Sequence, residues 1–202
     1  MDRTVRVTGS GSVQVAPDLA VVRVTAVQTA PAAVDALAGA ASASALAAER
    51  AREHVEARHV GTTGVDLWPA HDHEGRPRGF EARHALILTC TELDRVGPLL
   101  DSLAGALGER LRVDGVSLQV ADSTGLRERA VRAAYDDARA RAERLAGLAG
   151  AALGPVVSLV EEEGHGGGLF LAAEAAGKVD LAIEPGETTV LASVTATWQL
   201  EV

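Results

Sequence analysis

A single cysteine excludes an internal disulfide. Cys90 stands in the apolar run "HALILTC", where it is expected to be buried as a small hydrophobe with no redox role. Lysine is equally scarce: Lys178 is the only one, every other basic residue is arginine, and the formal net charge is −9. So acidic a chain lacks the basic footprint by which nucleic acids and anionic membranes are held. No stretch reaches the ~18 uncharged apolar residues of a membrane span. The opening "MDRTVRVTGSG" has no basic segment followed by an apolar one of about 7 to 15 residues, as a secretory signal requires. The chain as it stands is therefore expected in the cytoplasm, and in the periplasm or outside the cell if a leader has been removed. Aromatics are few, limited to Trp68, Phe80, Tyr135, Phe170 and Trp198, so valine, leucine and alanine must build the core. A chain of 202 residues is long enough to do so, burying roughly 70% of its unfolded surface.

Catalytic motifs are also missing. There is no G-x-x-x-x-G-K-[ST], no G-x-S-x-G, no H-E-x-x-H and no C-x-x-C. No nucleophile and base can be paired, no cofactor is called for, and the protein is expected not to be an enzyme.

What is present is a clear alternation of periods. From Val5 to Val15 the odd positions read Val, Val, Gly, Gly, Val, Val, a period of two that marks one strand with Gly9 and Gly11 on its apolar face. A phosphate-binding loop would need a helix to begin after these glycines, whereas Val13 and Val15 continue the strand. The glycines therefore suit a close approach of another backbone. Ala16-Pro17-Asp18 reads as a turn and "LAVVRVTAV" as a second strand, predicting an antiparallel hairpin with the first.

A long helix is predicted after Pro31, with the stripe Val34, Leu37, Ala41, Ser44, Ala48, Ala51 and Val55. "VDLWPAHDH" and "GFEARHALILTCT" form a strand pair across "EGRPRG", with Pro69 marking an edge or bulged strand. A short helix that Pro98 bends or restarts, then the strand "RVDGVSLQVAD", lead to a long helix from Thr124 to about Ala149. Its stripe is Leu126, Ala130, Ala134, Ala138, Ala142, Leu145 and Ala149, with Glu128–Arg132 and Asp137–Arg141 as i,i+4 ion pairs. "GPVVSLVEEE" and the terminal "VLASVTATWQLEV" are further strands. Between them residues 164–186 show little periodicity and are expected to be a mobile loop. The order ββ-α-ββ-α-β-α-β-loop-β predicts an α+β fold, mainly antiparallel, with Ala-rich helices on the sheet. One domain over 1–202 is expected, divisible into two sub-lobes near residues 1–91 and 92–202.

Four stretches in order, "VRVTGSGSVQVAPDLAVVRVTAV", "GFEARHALILTCTELDRVGPLLDSL", "ERAVRAAYDDARARAERLAGLAG" and "IEPGETTVLASVTATWQL", together resemble the SIMPL-domain family. That family includes bacterial envelope proteins linked to oxidative-stress defence and immune recognition, and an animal kinase-binding adaptor. The resemblance implies no catalytic residues. It implies Gly9, Gly11, Pro17, Asp18, Gly79, Pro185 and Gly186 as structural signature positions. It also implies a homo-oligomeric binding or scaffolding role, linked to stress defence, with a protein partner as a further expectation.

A second reading is a metal- or small-molecule-binding protein using the loop 164–186 or the hairpin at His71 and His73. Two residues apart on a strand, both rings would point to one face, near Asp72, Glu74 and His84. Against this, the segment runs into a polar turn, where solvated histidines are the plainer expectation. His54, His59 and His165 are scattered. Glu161-Glu162-Glu163 is more simply a solvated strand end than a cation site. The arginines from Arg127 to Arg144 interleave with Glu128, Asp136, Asp137 and Glu143, which reads as a self-compensated helix surface.

Overall fold

The computed structural model describes residues 3–162 and 186–201. Among them the chain runs β1 (Thr4–Val15), β2 (Leu19–Ala30), α1 (Ala33–Ala51), β3 (Val60–His71), β4 (Pro77–Cys90), α2 (Val96–Leu107), β5 (Leu111–Gln119), α3 (Ser123–Leu148), β6 (Ala152–Glu162) and β7 (Thr188–Glu201). Every pairing is antiparallel, in two sheets ordered β1-β7-β6 and β3-β4-β2-β5. The fold is α+β, in the element order the periodicity predicts. The expected loop at 164–186 and the signature residue Pro185 lie outside the described residues, except that Gly186 is described.

Two compact units divide the chain, and they are interleaved rather than consecutive. One contains β1, α3, β6 and β7. The other contains β2, α1, β3, β4, α2 and β5, so residues 92–119 group with the strands before them and β1 leaves the N-terminal half altogether.

The predicted β1–β2 hairpin does not form. β1 pairs with β7 and β2 lies between β4 and β5. The reason is in the faces of the two strands. β2 buries successive residues, Ala20, Val21, Val22, Val24, Thr25 and Ala26, and a strand apolar on both faces needs a neighbour on each edge and cover on each side. β1 instead alternates exposed polar residues with Val and Gly, which suits an outer strand covered on one face. Pro17 is buried in the connection, and the Asp18 N–H donates to the Gln119 carbonyl at 3.1 Å.

The α1 stripe also differs from the prediction. Ala36, Ala40, Ala43, Ser44, Ala47 and Ala51 are buried, whereas Val34 is 70% exposed and Leu37 also faces solvent. A helix lying close on a sheet selects its smallest side chains for the contact, so the larger apolar residues turn outward. α2 begins after a 3-10 turn at Leu93–Arg95, with Pro98 in its first turn, and buries Val96, Leu99, Leu100, Leu103 and Leu107. β3 is an edge strand with register shifts at Thr62/Gly64 and Ala70/His71, as Pro69 predicts. Gly79 holds φ +101, where a Cβ would meet the Ala30 carbonyl, so this signature glycine is fixed by conformation and by space.

Candidate functional site

The β3–β4 turn carries the sequence's best metal candidates. His71 ends β3 as an exposed residue, but His73 lies beyond the strand, so the i,i+2 geometry that would align the two rings is lost. Asp72 organises the turn instead. Its carboxylate accepts from the Glu74 N–H at 2.9 Å, the Arg76 N–H at 3.0 Å and Arg76 Nε at 2.8 Å, while Glu74 pairs with Arg76 at 2.6 Å. The Arg76 N–H and then its guanidinium hold the Asp72 carboxyl below the ordinary carboxylate range. His84 stands far along β4, opposite Val65, with Nε2 3.2 Å from Thr62 Oγ1. Among the described residues no three His, Cys, Asp or Glu side chains come together in a way that could hold a metal ion. Gly75 supplies the positive φ that closes this turn, so "DHEGRP" is a turn signal that competes with the histidine reading.

Gly9 and Gly11 are set by α3. A Cβ at Gly9 would strike the Ala134 carbonyl oxygen and the Ala138 nitrogen, and one at Gly11 the Ala130 carbonyl oxygen. α3 buries Leu126, Ala130, Ala134, Ala138, Ala142 and Ala146, so glycine on the strand meets alanine on the helix, and the two backbones nearly touch. The final turn departs from the expected stripe, with Ala146 buried and Leu145 exposed. Trp198 closes the same core, 2% exposed and with its ring 6.3 Å from that of Tyr135.

α3 also reaches the edge of β1 that has no partner strand among the described residues. Asp137 Oδ2 accepts from the Ser10 N–H at 3.0 Å, Arg141 Nη1 donates to the Thr8 carbonyl at 3.2 Å, and the two side chains pair at 2.9 Å. Sequence periodicity reveals this i,i+4 pair but not the strand it serves. The Ser10 N–H, followed by the charges of Arg141 and Arg144, holds the Asp137 carboxyl low.

These two carboxylates predict an acid dependence. Their folded-state values are depressed below the unfolded value of about 3.9. Their contribution to stability is therefore complete above that value and is lost as pH falls through the lower folded values. Asp72→Asn with Asp137→Asn is expected to flatten the fall of urea stability below about pH 4. An unchanged acid limb would show that other groups control it.

Three of the six arginines from Arg127 to Arg144 form ion pairs among the described residues, Arg141 with Asp137 being one. Arg127 meets Glu161 at 2.7 Å, and Arg139 meets Glu143 at 3.0 Å. Glu128 and Arg132 form no ion pair among the described residues, and Glu163 lies outside them. Leu153 of β6 packs against the core of Ala138, Ala142, Ala196 and Trp198, but among the described residues the strand beyond it is largely exposed. Val156, Val157, Leu159 and Val160 are all exposed on this edge strand. Cys90 is buried, which pushes its thiol up. Among the described residues no helix is long and apolar enough to cross a membrane.

No curated protein matches the sequence. A family model described as SIMPL, protein of unknown function (DUF541), matches residues 5–198, which takes in β1, the Gly9 and Gly11 contact with α3, and Trp198 on β7. With nearly its whole length matched, the chain belongs to the SIMPL family.

Proposed function

We propose that this chain acts by binding and not by catalysis, as a homo-oligomeric binding or scaffolding protein with a role in stress defence. The observation that carries the reading is β6, where four apolar side chains stand exposed on a strand that has one neighbour, β7, among the described residues. Apolar side chains exposed on both faces of a strand are unfavourable in water and gain by burial against a second protein surface. The stress role comes from the SIMPL resemblance.

Light scattering on the purified protein tests the assembly. A mass that is a multiple of 20.8 kDa is expected at micromolar concentration. Because each copy carries a net charge of −9, added salt should strengthen association by screening the repulsion. A strict monomer at low and high salt would remove this reading.

A further inference from the structure

An edge strand presents unpaired N–H and C=O groups that will add another strand unless something obstructs them. Among the described residues, three of the four edge strands are interrupted in their own backbone. β3 carries Pro69 and two register shifts, β5 shifts opposite Arg23/Val24, and β6 shifts twice between Leu153 and Ser158. β1 is different. It pairs with β7 without a shift from Thr4↔Gln199 to Val15↔Thr188, and it contains no proline.

The sequence of β1 is also symmetric about Ser10. Gly9 mirrors Gly11, Thr8 mirrors Ser12, Val7 mirrors Val13, Arg6 mirrors Gln14 and Val5 mirrors Val15. Laid antiparallel on a second copy about Ser10, the strand sets valine opposite valine, glycine opposite glycine and hydroxyl opposite hydroxyl, and no charge faces its like. In parallel register Arg6 would face Arg6. The edge is thus self-complementary in one direction only. The Ser10 N–H points away from β7, as its bond to α3 shows, so Ser10 would form the central hydrogen-bonded pair of such a ladder.

That centre is where Asp137 and Arg141 sit. A neighbouring strand would offer a carbonyl to the Ser10 N–H and an N–H to the Thr8 carbonyl. The α3 ion pair supplies an acceptor and a donor to these same two groups. We infer that Asp137 and Arg141 guard β1, closing the centre of a latent pairing edge whose fitting partner is β1 of a second copy of this chain, antiparallel. The guard is separate from the exposed β6 surface and stands whatever the subunit number of the wild-type protein.

The test is the full chain with Asp137→Ala and Arg141→Ala, compared with wild type by light scattering across the micromolar range. A twofold rise in mass over wild type is expected. Adding Ser10→Pro removes the central N–H on the side where an edge strand tolerates proline, and should return the mass to the wild-type value. A folded double variant with wild-type mass overturns the inference, as does association that persists in the folded triple variant. Should either variant unfold, the single Asp137→Ala chain is read by hydrogen exchange at the Ser10 amide. Several-fold faster exchange than wild type supports the guard, and an unchanged rate overturns it.

Discussion

Gly9→Val is expected to cost the unit built from β1, β6, β7 and α3 about 3 kcal/mol, the upper end for overpacking, or to unfold it. The obstacle is helix backbone rather than a side chain that can swing aside. A Cβ at this position lies 2.8 Å from the Ala138 Cα and still closer to the Ala134 carbonyl oxygen and Ala138 nitrogen. Those atoms are held in the α3 hydrogen-bond ladder, so relief requires the helix to lift from the strand. Alanine side chains are too short to bridge the resulting gap, and the contact along Ala130, Ala134, Ala138 and Ala142 would be lost together. Gly115→Ala on β5 is the control. Nothing lies within 4 Å of its added methyl, so its effect should fall within about 0.5 kcal/mol. Urea unfolding followed by tryptophan emission reads the result, because Trp198 is buried in the affected unit and Trp68 is half exposed in the other. A Gly9→Val protein with the wild-type midpoint would refute the close-approach account.

The same contact shows what the sequence reveals and where it stops. The strand period of β1, its two inward glycines and the alanine stripe of α3 are each legible alone, because each is a local repeat. That glycine and alanine face one another is not legible, since the match joins residues 9 and 138 across the chain. The hairpin error has the same origin. Adjacency favours pairing β1 with β2, but the two-sided burial of β2 requires β4 and β5 as neighbours, and that requirement is non-local. For α1, side-chain size outweighs hydrophobicity. Val34 and Leu37 look like core anchors by hydrophobicity, yet close packing on the sheet selects Ala36, Ala40 and Ala43. In the candidate metal site the strand ends at His71, two residues before the period of "VDLWPAHDH" would end it. Asp72 bonds back to the backbone at Glu74 and Arg76, and His73 lies inside the turn that results. The Asp137–Arg141 pair was legible as a helix pair, while its purpose at β1 depended on tertiary structure.

Leu88→Ala is expected to cost the other unit about 3–5 kcal/mol, in the upper part of the range for such truncations. Leu88 is fully buried on β4, level with Val22 on β2 and Val60 on β3. Its cluster holds Val22, Val24, Ala43, Ala47, Leu99 and Leu103 and contains no aromatic residue. The size of the loss depends on whether neighbours can move into the space. Valine is stiff at χ1 and alanine has no rotamer to change, so Val22, Val24, Ala43 and Ala47 give this core little means of collapsing around a cavity, which leaves Leu99 and Leu103 as the side chains able to move. Leu88→Met, which nearly conserves volume, should cost less than about 1.5 kcal/mol. Against a total of about 5–15 kcal/mol for a typical domain, the alanine variant would lose much of its stability and the methionine variant little. Urea midpoints for the two chains make the comparison. Equal, small losses would mean that α1 settles onto the sheet and closes the cavity, and that the alanine stripe tolerates movement that the rigid-core argument denies it.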